Sequence, residues 1–186
     1  MKYKLVKIAG DASFRQFYRL TQGKKNSIIV ESKKEKFKNL IVYSAINKFL
    51  LQNKILAPRL LKDFFQKGII EIEDFGTTLF YQYLRNKKNK YDAYKKIVIF
   101  LLKLQKIKPK QSIYSLKNYK INLEYYDRNN LHKESDLFFN WYLVGVLGKK
   151  KAKKYKHLVK KELDKIYRKI YFKNVYFVHR DFHAAN

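Results

Sequence analysis

Cysteine is absent from this 186-residue chain. Its absence excludes a disulfide framework and thiolate metal sites, and it fits a reducing cytoplasm. Pro58 and Pro109 are the only prolines. No apolar run approaches a membrane span; the longest covers residues 97–102, so no membrane insertion is expected. Met1-Lys2-Tyr3-Lys4 leads straight into strand-like sequence with no apolar signal region, which points to a cytoplasmic protein. Acidic residues are also few, 15 against 43 Lys and Arg, leaving a net charge of +28. What is abundant is apolar: 46% of the residues, enough for one domain or two small lobes.

The charge invites a nucleic-acid reading, because clustered Lys and Arg neutralise phosphates. Only seven of the 43 basic residues are Arg, the side chain suited to bidentate phosphate and base contacts. The lysines are spread along a sequence rich in Asn, Ile, Tyr and Phe, and the densest run, residues 149–154, opens a helical segment. The expectation is a solvated basic surface and no specific nucleic-acid partner.

Period-two segments at 3–8, 14–20 and 27–31 predict three strands, separated by turn chemistry at 10–13 and 21–26. Val42, Ala45, Ile46, Phe49 and Leu50 recur at helical spacing, predicting a helix over 37–52. Two more strands, 60–65 and 68–73, flank a turn at Gln66-Lys67-Gly68. Beyond Gly76 the period turns helical: one stripe runs through Tyr94, Ile97, Val98, Leu101 and Leu104. After a loop at 108–117, shorter helices are predicted over 121–147. A long helix over 151–171 follows, striped by Tyr155, Val159, Leu163, Ile166 and Ile170. The fold class is therefore α+β, with a strand-rich lobe and connector at 1–76 and a helical lobe at 77–186.

An apolar run, residues 175–178, predicts a buried strand opening into His179-Arg180-Asp181-Phe182-His183-Ala184-Ala185-Asn186. H-R-D-x-x-x-x-N is the catalytic-loop spacing of kinase-like phosphotransferases. At that spacing Asp181 is the candidate catalytic residue, orienting and deprotonating a hydroxyl, and Asn186 is the candidate magnesium ligand. A His179/His183 metal pair is less favoured than His179 anchoring the loop by hydrogen bonds; His183 faces substrate or packs locally. Gly10-Asp11-Ala12-Ser13-Phe14-Arg15 is either an ordinary hairpin turn or a loop covering nucleotide phosphates. Arg15 and Arg19 share one strand face by alternation, turned to a cleft or to solvent. Asp74-Phe75-Gly76 copies a kinase metal motif but precedes the catalytic loop, so Glu73, Asp74 and Phe75 read as an inter-lobe connector lining an adenine slot. Asp74 would then shape the local turn.

Three segments in order resemble the aminoglycoside-phosphotransferase-like superfamily, nearest to bacterial kinases of N-acetylmuramate and N-acetylglucosamine. Residues 10–19 look like its G-D-A-S-F-R-R-Y-F-R hairpin, Tyr126-Asp127 with residues 134–143 like its Y-D…E-L-x-L-F-x-x-W-Y-L segment, and residues 179–186 like its H-R-D-F-H-x-x-N loop. The resemblance implies a kinase-like bilobal fold, ATP and Mg2+, and transfer to an amino-sugar hydroxyl. His183, Asp136, Trp141 and Tyr142 are then candidate substrate contacts, although aromatic clusters at helical spacing also build cores. The strand at 27–31 lacks the phosphate-binding lysine of typical kinases, leaving Arg15 and Lys33 as candidates. The second magnesium-binding Asp is expected beyond Asn186, which implies a truncated chain inactive by itself. A nucleotide-binding pseudo-enzyme and an aminoglycoside or choline kinase are the alternatives.

Overall fold

The computed structural model describes residues 3–8, 15–32, 38–108, 110–173 and 176–184. A five-stranded antiparallel sheet has the order β1-β2-β3-β5-β4, formed by β1 (Tyr3–Ile8), β2 (Gln16–Gln22), β3 (Lys25–Glu31), β4 (Leu60–Phe64) and β5 (Ile69–Glu73). Helix α1, Lys38–Gln52, lies between β3 and β4 in sequence. These are the five strands and the helix that the periodicity predicts. β2 and β3 run further into their connection than expected, because Gly23 takes φ +61° and lets Gln22 pair directly with Lys25. That left-handed conformation carries little penalty only in glycine.

Alternation along the strands divides the sheet into two faces. Val30 pairs with Ile70, and Ile28 with Ile72. These four side chains join Leu40, Ile41, Ala45 and Phe49 of α1 in the hydrophobic core. Leu40 and Ala45 are wholly buried; removing a leucine from water in this way stabilises the fold by about 1.5–3 kcal/mol. The turn before β5 is a short 3-10 segment, Phe65–Lys67, closed by Gly68 at φ +67°.

Beyond β5 come α2 (Phe80–Arg85) and α3 (Tyr91–Gln105), then a hairpin of β6 (Ser112–Tyr114) and β7 (Lys120–Asn122). β6 forms within the loop predicted over 108–117, and β7 takes the start of the helical stretch predicted over 121–147. Ile113 pairs with Ile121, and both are buried. The hairpin is moored to α1, with Lys48 Nζ donating to the Ser115 carbonyl at 3.1 Å. On α3 the covered face runs through Ala93, Ile97, Phe100 and Leu104, while Tyr94 and Val98 of the predicted stripe are half exposed.

By packing, the chain divides into Met1–Leu123 with Tyr176–Asn186, and Glu124–Val175. The second unit holds α4 (Arg128–Leu137), a π-helical stretch Phe138–Leu143, and α5 (Val144–Tyr167), whose start is broken at Gly148 with φ +72°. Phe139 and Ala152 are its buried apolar centre. The predicted stripe of α5 is largely exposed, at Tyr155, Val159 and Ile166. Lys156 and Lys160 instead turn toward α4, where Asp136 Oδ1 takes them at 3.3 and 3.2 Å. Long lysine stems cover apolar surface while their heads stay paired. Among the described residues, no helix is long and apolar enough to cross a membrane.

Candidate active site

The connector after β5 is densely hydrogen-bonded. Arg59 and Glu73 meet side by side where β4 and β5 pair, with Nε to Oε2 and Nη2 to Oε1 both 3.0 Å. Hydrogen bonds from Arg59 hold the Glu73 carboxyl below the usual carboxylate range. Arg19 reaches Asp74 bidentately, Nε to Oδ2 at 2.5 Å and Nη2 to Oδ1 at 3.0 Å, and Nη2 also donates to the Gly76 carbonyl at 3.1 Å. The Asp74 side chain, 5% exposed, accepts the Gly76 N–H at 2.8 Å. It therefore shapes the turn at Gly76, whose φ is +91°. Arg19 turns to this carboxylate rather than wholly to solvent. Phe75 is exposed.

Arg15 lies near enough to Tyr43 of α1 for its charge to oppose the rise in phenol pKa that burial causes. Gly10, Asp11, Ala12, Ser13 and Phe14, with Lys33, lie outside the described residues. The interior of β3 carries Ser27-Ile28-Ile29-Val30 and no lysine.

Residues 176–184 return to the first unit. Over 176–178 the chain forms no strand, and Tyr176 and Val178 are exposed. The buried strand expected there is corrected accordingly: among the described residues no strand ladders with it, and Phe177 packs inward, its ring 5.5 Å from that of Phe49. The following loop is held at its flanks. Phe182 stacks on Phe100 of α3, with centroids 6.1 Å apart and planes at 16°. The Tyr81 N–H of α2 donates to the Ala184 carbonyl at 2.9 Å. His179 meets Phe182 edge-on at 5.5 Å, so its contact with the loop is aromatic where a hydrogen bond was expected. Arg180 takes φ +71°, a strained value for a side-chain-bearing residue. Asp181 presents a carboxylate that is 76% exposed, with His183 Nε2 at 3.5 Å from Oδ1. Asn186 and Ala185 lie outside the described residues.

In the second unit, Trp141 and Tyr142 are exposed, and Tyr142 stacks on Phe138 at 5.2 Å. Asp136 is bound between two lysines. Burial opposes its ionisation, but Lys160 and Lys156 hold the carboxyl below its ordinary range. Among the described residues no cluster of three or more His, Cys, Asp or Glu could hold a metal.

Neither the Arg59–Glu73 pair nor the Tyr81–Ala184 bond is foreseen from the sequence. Arg59 falls opposite Glu73 because Leu60 pairs with Ile72, a register that only the folded sheet sets. The Tyr81 bond joins segments a hundred residues apart, and no local pattern signals it.

No protein-family profile matches the chain. It is similar to the N-acetylmuramate/N-acetylglucosamine kinase of Neisseria meningitidis serogroup B, at 23% identity over 188 aligned positions. The alignment takes in 99% of this chain and 52% of that protein. The chain thus spans about half the length of the curated relative it matches, and its likeness to a kinase is distant but runs from end to end.

Proposed function

We propose that this chain carries the nucleotide-binding and catalytic-loop portions of an ATP- and Mg2+-dependent phosphotransferase, acting on a hydroxyl of an N-acetylated amino sugar in the cytoplasm. The observation that carries the reading is the H-R-D-x-x-x-x-N loop, held to α2 and α3 at Ala184 and Phe182 with the Asp181 carboxylate left exposed. The end-to-end likeness to an amino-sugar kinase supports the substrate class.

In this reading residues 1–76 form a nucleotide-binding lobe and residues 77–186 a helical lobe of a kinase-like bilobal fold. Asp181 orients the sugar hydroxyl and takes its proton as the oxygen attacks the γ-phosphorus in line. The new O–P bond forms as the bond to the β-phosphate oxygen breaks, releasing ADP. Residues 10–15 cover the phosphates, and the connector Glu73-Asp74-Phe75 lines the adenine. The Asn186 amide oxygen is a hard donor of the kind magnesium takes. The ion, when bound, neutralises charge on the phosphates. His183, beside Asp181, is the proposed sugar contact of the first unit; Trp141 and Tyr142 are exposed aromatics of the second. Asp136, taken up by Lys156 and Lys160, contributes by fixing the helical segment that bears the two aromatics. The basic surface is solvated and selects no nucleic acid.

The missing β3 lysine favours a second reading, a kinase-like module that binds nucleotide without transfer. Turnover separates the two. ATP and magnesium are offered with N-acetylated amino sugars, choline and aminoglycosides, to this chain and to any longer product of its reading frame. Phosphorylation of an amino sugar, lost in Asp181→Asn with nucleotide affinity nearly unchanged, is expected. Turnover on choline or aminoglycosides alone overturns the sugar assignment, and nucleotide binding with no turnover on any acceptor establishes the second reading.

A further inference from the structure

Arg19 sits on β2, which does not touch β5; β3 lies between them. The register explains how it reaches the connector. Arg19 pairs with Ile28, and Ile28 with Ile72, so the three side chains form a row across one sheet face. Asp74 follows Ile72 by two residues. The guanidinium thus extends along that row to the first turn after the sheet, where three of its hydrogen bonds end on Asp74 and Gly76. One carboxylate oxygen of Asp74 also takes the Gly76 N–H. This arrangement clamps the turn from both sides. Among the described residues, the N–H and C=O of Phe75, between the two clamped positions, form no main-chain to main-chain hydrogen bond.

We infer that Arg19 is a positioning residue for the connector, holding the Phe75 main chain at a fixed angle so that its N–H and C=O recognise the edge of an adenine base. The inference rests on the proposed nucleotide-binding reading and adds to it the device that sets base specificity. Arginine suits the task because its planar fork engages both carboxylate oxygens and still has a donor for the Gly76 carbonyl. Lysine, a single flexible point charge, would keep the attraction but lose the angle. A main-chain recognition edge needs such support, since specificity falls once the groups it presents can rotate.

The experiment measures equilibrium binding of ATP, GTP and inorganic tripolyphosphate, each with magnesium, to the wild-type chain and to Arg19→Lys and Asp74→Asn. Wild type is expected to favour ATP over both other probes. Arg19→Lys should lower ATP affinity about tenfold, the loss of a charge-assisted hydrogen bond, and bring ATP and GTP to near equality. Tripolyphosphate affinity, which does not involve the base, should stay unchanged. Asp74→Asn, nearly isosteric, should move in the same direction and decides the matter if Arg19→Lys does not fold. An undiminished ATP preference in a folded variant overturns the positioning role while leaving the nucleotide reading intact. An equal loss for all three probes, with a lowered melting temperature, shows a purely structural ion pair and also overturns it. Absence of ATP binding by the wild type fails the nucleotide reading itself and takes this inference with it.

Discussion

The Ser27 hydroxyl donates to Glu71 Oε1 at 2.7 Å between β3 and β5, on the sheet face opposite Val30 and Ile70. Both residues are buried, and Lys62 Nζ lies 3.1 Å from the other carboxylate oxygen. Burying a carboxylate costs free energy unless its oxygens find hydrogen-bond partners, and the serine supplies one in place of water.

Ser27→Ala should therefore cost about 1–3 kcal/mol in urea unfolding, the penalty for an orphaned buried acceptor. Replacing both partners, Ser27→Ala with Glu71→Leu, should cost less than the sum of the single changes, because the double variant leaves no acceptor unpaired. Strictly additive losses would show that the two side chains are energetically independent.

Asp74 predicts an acid-labile increment of stability. The Arg19 hydrogen bond is the main cause of its lowered pKa; burial opposes the shift, and the Gly76 N–H adds to it. An unfolded aspartate titrates near ~3.9. With the folded value below that, the increment is complete above the unfolded pKa and disappears as pH falls through the folded one. The stability gap between wild type and Asp74→Asn should thus be flat from neutral pH to about 5, then narrow as the pH drops further. Urea titrations across that range check it, and a gap that widens on acidification would reverse the sign of the linkage.

Asp127 caps α4, its Oδ1 accepting the Asn130 N–H at 3.1 Å. Asp127→Ala should destabilise the protein by about 0.5–2 kcal/mol, and Asp127→Asn by much less, since asparagine caps nearly as well. Thermal unfolding measures both. Equal losses in the two variants would mean that the charge, rather than the cap, matters there.

The strands and α1 were legible because each has a local period and a local stop. Alternating apolar residues mark β3 and β5, and Gly23 and Gly68 mark turns that a positive φ requires. The α3 and α5 stripes misled for a physical reason. Periodicity reports where apolar residues fall on a helix, not which face a neighbour covers. On α5, Asp136 draws Lys156 and Lys160 inward and leaves Tyr155 and Ile166 exposed. Residues 176–178 misled in a similar way, because an apolar run becomes a strand only where another strand can ladder with it.

Within the candidate site, the sequence alone determined residue types and their spacing. Asp181 stands two residues after His179 and five before Asn186, and Asp74 stands just past an apolar strand. Such chemistry follows from covalent order. Pairing does not. That Arg19 meets Asp74, that Arg59 meets Glu73, and that Phe100 and the Tyr81 N–H hold the loop bearing Asp181 depend on sheet order and register. These contacts join residues 55, 14, 82 and 103 positions apart. Only the folded chain brings such distant groups within hydrogen-bonding reach, because the loss of chain entropy is offset by the whole core and not by any one contact.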